Sequence, residues 1–147
     1  MADDVIISRN KSRELIFKCM YSFLILEECN VSIDFKGLIE MVTDENYDDV
    51  DYFIKKNLLE CLKHQKEIID YIEPFLNKWT FKRLNYVIQA ILITSVADYF
   101  YCQEANKNII IDCAIKLAKR YADDTKDYKY VNGILDNALK NDGKWFK

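Results

Sequence analysis

Few side chains in the sequence could catalyse a reaction or hold a metal ion. His64 is the only histidine, and it lies three residues after Cys61, so the two would share one face of a helix. Two ligands cannot complete a tetrahedral zinc site, and no second pair stands at a fitting distance. A cysteine–histidine nucleophile would also need a third, orienting group. We therefore predict a buried cysteine beside a half-exposed histidine, and no metal site.

Phosphate-binding loops and acid–base pairs give equally weak signals. Gly37, Gly133 and Gly143 stand alone, so neither a Walker motif nor a GxGxxG motif is present. The carboxylates cluster in residues 43–51, which is typical of a solvated run of charge. We predict that the protein is not an enzyme and that it has no catalytic residue, no metal and no cofactor.

Two basic and aromatic segments, residues 9–13 and 116–130, suggest binding instead of catalysis. Arginine and lysine neutralise phosphates, while aromatic rings provide stacking platforms for unpaired bases. The alternative is that these are ordinary solvated helix residues with their rings turned inward. Composition alone favours this alternative, because Asp123, Asp124 and Asp127 interrupt the second segment.

Composition limits the class of protein and its location. The 147 residues correspond to one domain, and a net charge of −3 excludes a strongly basic nucleic-acid-binding domain, so any such site must be a local patch. The longest uncharged run, residues 84–97, is too short to span a bilayer, and the acidic start does not resemble a secretion signal. Five widely spaced cysteines are typical of buried cytosolic thiols. We predict a cytoplasmic protein that does not enter a membrane.

The elements that would position these side chains are helices. Three glycines and a single proline, Pro74, leave long stretches without a helix breaker. Apolar residues recur at spacings of three and four from Arg9 onward, and no alternating strand pattern occurs. We predict an all-α protein in which residues 1–8 form a flexible leader, 9–141 a single helical domain and 142–147 a short tail. The expected helices begin at Arg9 and cover about 35–41, 48–71, 84–99, 111–118 and 131–138, the fourth being central and buried.

Four motifs in the second half of the chain resemble the NusB family of transcription antitermination factors. They are WTFKRL at 79–84, AIL at 90–92, AIKLAK at 114–119 and KYVNGILD at 129–136. They follow the order and approximate spacing of the family motifs, and the last is the most specific. The resemblance extends over about residues 9–140, with the weakest match in 27–70.

The resemblance implies a NusB-like helical fold, with two three-helix subdomains around long central helices. It also implies a non-catalytic RNA-binding adaptor. Such proteins bind the single-stranded boxA element of ribosomal RNA leaders together with the ribosomal protein NusE, and act on RNA polymerase in an antitermination complex. The oligomeric state stays open, because some family members resemble homodimers that hide the RNA face.

The resemblance also assigns roles to individual side chains. The basic N-terminal segment, the lysine–aromatic pair, the lysine of the third motif and the asparagine that follows would contact RNA. These positions are Arg9, Lys11, Arg13, Lys119, Lys129, Tyr130 and Asn132. For Asn132 and Gly133 the alternative is structural, a helix-start asparagine and a close-packing glycine. Tyr21 would bind a partner, with core packing as its alternative.

Several departures from the family pattern favour a second hypothesis. Asn10 stands at a position that is often basic, Ile93 replaces an arginine, and Cys113 replaces a glutamate. Losing an arginine and a glutamate together is what the deletion of a buried ion pair would look like, and an apolar replacement can be neutral for stability. The alternative function is therefore a NusB-like protein-interaction or scaffold module with weakened or lost RNA binding. The roles of Trp145 and Phe146 in the tail stay open.

Overall fold

The computed structural model describes residues 2–77, 79–124 and 126–140, and the side chains from residue 9 onward. Over these residues the protein is helical and contains no strand, which confirms the all-α prediction. The helices are α1 (Ala2–Glu28), α2 (Phe35–Thr43), α3 (Tyr52–Lys63), α4 (Gln65–Ile72), α5 (Tyr86–Ala97), α6 (Lys107–Tyr121) and α7 (Asp127–Ala138). Short 3₁₀ turns lie at 47–49, 73–76 and 81–83, and a π-helical turn at 98–102 follows α5. The predicted tail lies outside the described residues.

Helix α5 is the centre of the fold. It packs against α1, α3, α4, α6 and α7. Its sequence carries no charge, and Ile91, Leu92 and Ile93 are completely buried. Helix α1 also packs against α2 and α3, and α6 and α7 pair closely with each other. The central buried helix predicted from the apolar run is thus confirmed.

The largest differences from the predicted helices concern the start of α1 and the helix expected over 48–71, while α6 and α7 each begin four residues earlier than expected. Helix α1 begins at Ala2 and not at Arg9, because residues 2–28 contain no glycine or proline that would stop the helix from propagating toward the N-terminus. The single helix expected over 48–71 is two helices that meet at His64, whose φ of −112° and ψ of 18° leave the helical region. The imidazole is held at this break by Glu60 and Glu67 and stacks on Tyr101 at 4.0 Å between ring centroids.

Asparagine side chains determine where two of the helices begin. The Oδ1 atom of Asn106 accepts a hydrogen bond of 3.0 Å from the N–H of Ile109 at the start of α6, and Asn85 does the same at the start of α5. Each bond satisfies one backbone donor that the first helical turn leaves unpaired.

We expect the substitution Asn106→Ala to lower the free energy of unfolding by about 1 kcal/mol, because the first turn of α6 loses its cap. Urea denaturation measures the loss. The matched control is Asn108→Ala, an exposed change inside the same helix, which should be neutral or slightly stabilising because alanine is the better helix former. Equal losses in the two variants would contradict the capping role.

Candidate nucleic-acid interface

Arg13 is part of the core. Its Nε atom donates a 2.6 Å hydrogen bond to Oδ2 of Asp98, in the π-helical turn after α5, and only 8% of the residue is exposed. Burial is the largest influence on Asp98 and raises the pKa of its carboxyl, while the Arg13 guanidinium opposes the rise. Arg13 would have to leave Asp98 to meet a phosphate, so the structure does not place it as the surface contact predicted from the sequence.

Arg9 and Lys11 lie on different faces of α1. Arg9 lies on the same face of α1 as Arg13, four residues earlier. Its guanidinium lies 4.2 Å from the ring centroid of Phe53 and forms an ion pair with Asp51 at 3.4 Å. The Arg9 side chain is 37% exposed. Lys11 is two positions away, about 200° around a helix, and is exposed. The three N-terminal cations therefore do not form one surface.

Lys11 faces α6 across a shallow groove of about 360 Å³. Asn10 and Glu14 of α1 line one wall, and Lys116 and Arg120 of α6 line the other. The first basic segment is thus brought beside the beginning of the second.

Glu14 of α1 connects the two walls of this groove through hydrogen bonds to α6. Its Oε2 atom accepts hydrogen bonds from the Tyr121 hydroxyl at 2.6 Å and from Arg120 Nη1 at 2.7 Å. The Tyr121 hydrogen bond, followed by the interaction with Arg120, lowers the pKa of Glu14 against the opposing effect of burial. Lys18 of α1 lies 5.8 Å from the centroid of the same tyrosine ring.

Three cations of α6 share an outward face because they are spaced at i, i+3 and i+4. They are Lys116, Lys119 and Arg120, all exposed. Lys116 forms a 2.9 Å ion pair with Asp112, and Lys119 Nζ lies 4.6 Å from the ring centroid of Tyr128 on α7. We call Lys11, Lys116, Lys119 and Arg120 the basic patch. Lys116 and Arg120 belong to the second basic segment, but the sequence analysis assigned neither of them an RNA contact, although their helical spacing with Lys119 was an available signal.

Lys129 and Tyr130 continue this surface onto α7. Lys129 is exposed, one residue after the tyrosine that lies under Lys119. Tyr130 is half-buried, its hydroxyl donates a 3.3 Å hydrogen bond to the carbonyl of Leu76, and burial raises its pKa. Its ring is therefore held as one wall of a groove between 74–77 and α7, which Lys129 also lines.

Asn132 and Gly133 lie in the middle of α7 and are exposed. The alternative of a helix-start asparagine is therefore wrong, because α7 begins at Asp127. The alternative of a close-packing glycine is wrong as well, because a Cβ atom added at Gly133 would meet no atom within 4 Å. The fold gives neither residue a structural reason for its identity.

Tyr21 is half-buried and packs against the core. Its ring centroid is 6.2 Å from that of Phe17, whose ring lies 5.3 Å from Tyr121. Tyr21 shares a helical face with Leu24 and Glu28, which line a groove of about 310 Å³ between α1, α4 and the start of α5. Glu27, Glu73 and Lys82 also line this groove, so acidic side chains outnumber basic ones in its lining.

The described residues offer no cluster of three or more histidine, cysteine or acidic side chains that could hold a metal ion. Cys61 is completely buried, and burial raises the pKa of its thiol. None of the described helices combines the length and apolar character needed to cross a bilayer.

Comparison with known proteins finds one family over most of the chain. The family model described as the NusB family matches residues 10–140. The transcription antitermination protein NusB of Clostridium novyi is 32% identical over 134 residues, which cover 90% of this chain and 98% of that protein. The protein of the same description from Methylacidiphilum infernorum is 31% identical, with 94% of each chain covered.

Solved structures show the same fold. T. maritima NusB superposes with a TM-score of 0.78 at 25% identity, covering 92% of each chain. A chain in a structure described as the crystal structure of a plectonemic RNA supercoil superposes with a TM-score of 0.74 at 25% identity, covering 88% of this chain and 92% of that one.

Proposed function

The chain belongs to the NusB family, and from that premise we propose that it is a transcription antitermination factor. It acts in the cytoplasm as a non-catalytic adaptor that binds boxA-like single-stranded RNA together with the ribosomal protein NusE. The complex assembles on RNA polymerase. Family membership over nearly the whole chain supports the class of function. The basic surface formed by α1, α6 and α7 supports the proposal that the ligand is RNA.

The observation that carries the RNA assignment is the basic patch. Lys11 and Lys119 are exposed and form no ion pair with the described side chains, on a chain whose net charge is −3. Such cations bind phosphates by displacing condensed counterions, which gives affinity with little dependence on sequence. Lys129 and Tyr130 extend the surface toward α7, where an unpaired base can meet an aromatic ring.

The proposed binding site for the protein partner is the groove between α1, α4 and the start of α5, on the helical face of α1 that carries Tyr21. Three acids, Glu27, Glu28 and Glu73, and one base, Lys82, line the groove together with apolar side chains that include Leu24 and Phe81. This composition suits a segment with an apolar anchor flanked by lysines or arginines. RNA would be repelled by the same carboxylates, so the two ligands are expected on separate faces.

Fluorescence anisotropy with a labelled boxA-like RNA, with and without purified NusE, tests the proposal. We expect weak binding by the protein alone and tighter binding with NusE. The affinity should fall with salt at a log–log slope of about −0.7 per phosphate contact. If no RNA binding is detected in either condition at low salt, the RNA role is contradicted. Size-exclusion chromatography at the same protein concentrations shows whether the protein is a homodimer.

One observation favours the scaffold alternative. Arg9 and Arg13 are both engaged with carboxylates of this chain, so fewer N-terminal cations are available than the family resemblance implies, and Arg120 of the basic patch is paired with Glu14 as well. A scaffold would co-elute with NusE in size-exclusion chromatography and would not raise the anisotropy of the labelled RNA.

A further inference from the structure

A small cavity lies beside the buried ion pair of Arg13 and Asp98. Residues of α1, α3, α5 and α6 and of the π-helical turn line it, and we call it the ion-pair cavity. About 20 Å³ of the cavity is open to the centre of a water-sized sphere, and roughly 10–15 Å³ by that measure is enough for one water molecule. The ion-pair cavity therefore has room for a water molecule but not for an organic ligand.

The cavity contains a buried acceptor whose hydrogen bonding is incomplete. Asp98 is only 4% exposed, and its Oδ2 atom accepts the 2.6 Å hydrogen bond from Arg13 Nε. The other carboxylate oxygen, Oδ1, is buried and has no hydrogen-bond partner within the part of the chain that the structure describes. A carboxylate oxygen that loses its hydration without a replacement is costly, so the position calls for a donor.

Other polar side chains around the ion-pair cavity can complete the hydrogen bonding of a water molecule. The polar residues of the lining are Arg13, Asn57, Thr94, Ser95, Asp98 and Cys113. Asn57 Nδ2 donates a 2.8 Å hydrogen bond to the Phe53 carbonyl, and its second N–H group can donate to a water. The Thr94 hydroxyl donates to the Ala90 carbonyl at 2.8 Å and can still accept. A buried water makes about three hydrogen bonds, which this lining can supply.

We propose that the ion-pair cavity binds one buried water molecule, which donates a hydrogen bond to Oδ1 of Asp98. Apolar cavities stay dry, but a polar cavity of this size suits water, and the guanidinium of Arg13 disfavours a metal cation at the same place. The water completes a hydrogen-bonded network where α1, α3, α5 and α6 meet.

The bound water lies close to the basic patch. Cys113 and Leu117 of α6 line both the ion-pair cavity and the groove that Lys11 and Arg120 also line. The water therefore supports the two helices, α1 and α6, that present the cations of that groove. This role does not depend on which ligand the basic patch binds.

Oxygen-17 magnetic relaxation dispersion tests the proposal in solution, because it counts water molecules held inside a protein and does not respond to exchanging hydroxyl protons. The variant is Arg13→Met with Asp98→Leu, which removes the acceptor together with its counter-charge. We expect the dispersion amplitude to fall by the equivalent of one water molecule. The matched control is Arg9→Met with Asp51→Asn, which removes an exposed ion pair, keeps an oxygen at the start of α3 and should leave the amplitude unchanged. Equal amplitudes in wild type and both double variants would refute the proposal.

A high-resolution crystal structure of the wild-type chain tests the same site without a substitution, so the proposal stays testable if the core variant does not fold. We expect a water oxygen about 2.5–3.0 Å from Asp98 Oδ1, with at least one further polar partner from the cavity lining. A side-chain donor bonded to Oδ1 in its place would refute the proposal, and so would a cavity without solvent density.

Discussion

Replacing Arg13 with alanine is expected to lower the free energy of unfolding by about 3–5 kcal/mol. Asp98 Oδ2 would lose its 2.6 Å hydrogen bond to Arg13, and Asp98 Oδ1 is already buried without a hydrogen-bond partner among the described residues. The variant therefore leaves an uncompensated carboxylate in the core. Denaturation by urea at neutral pH measures the loss.

The loss of stability in Arg13→Ala should depend on pH, and the pKa of the Asp98 carboxyl determines the direction of that dependence. In the folded protein burial holds the pKa of its carboxyl above the ordinary value, although Arg13 opposes this rise. Removing Arg13 raises that pKa further. A carboxyl with a raised folded-state pKa binds its proton more tightly in the folded state, so stability falls as pH rises from the unfolded pKa through the folded one. The difference in the free energy of unfolding between wild type and Arg13→Ala should therefore be largest at neutral pH and should become smaller as the pH is lowered.

Two further variants isolate the ion pair. The pair of Arg9 and Asp51 provides a surface comparison, and Arg9→Ala should cost no more than about 2 kcal/mol, because it removes an exposed ion pair and the contact with the Phe53 ring. The double substitution Arg13→Met with Asp98→Leu should be more stable than Arg13→Ala, since no buried charge remains. A loss for Arg13→Ala as small as that for Arg9→Ala would show that Asp98 finds another partner.

The helices could be predicted from the sequence where a local signal was strong. The uncharged run that became α5 and the stripes of α6 and α7 gave the correct elements, because burial of one helical face leaves a period in the sequence. The end of α3 at His64 could not be predicted from the apolar periodicity. The apolar stripe continues from α3 into α4, and the contacts that hold His64 include Tyr101, which lies on a later element.

The site was less predictable because its side chains meet across long separations in the sequence. Arg9 and Arg13 are spaced for one helical face, but only the fold shows that this face turns toward Phe53 and Asp98. The resemblance indicated a missing ion pair at Ile93 and Cys113. In the structure Ile93 is fully buried, and Cys113 lines the same small cavity as Arg13 and Asp98. A buried ion pair therefore lies beside Cys113, between Arg13 and Asp98, and the motifs did not reveal it.

Removing three cations of the RNA surface is expected to lower RNA affinity on the order of 100-fold, at about 1 kcal/mol for each exposed contact. The variant is Lys11→Ala, Lys119→Ala and Lys129→Ala, three exposed lysines on α1, α6 and α7 that form no ion pair with the described side chains. The log–log salt slope should become shallower by about 2, because three counterions are no longer released. Anisotropy titrations at several salt concentrations give both quantities.

The matched control removes three exposed lysines elsewhere: Lys36→Ala on α2, Lys63→Ala on α3 and Lys66→Ala on α4. Both triple variants change the net charge by the same amount, so long-range repulsion of RNA increases equally in the two. Only the first removes contacts proposed here, and only it should change the salt slope. If the two variants lose affinity equally, RNA responds to the overall charge of the protein and not to a defined surface on α1, α6 and α7.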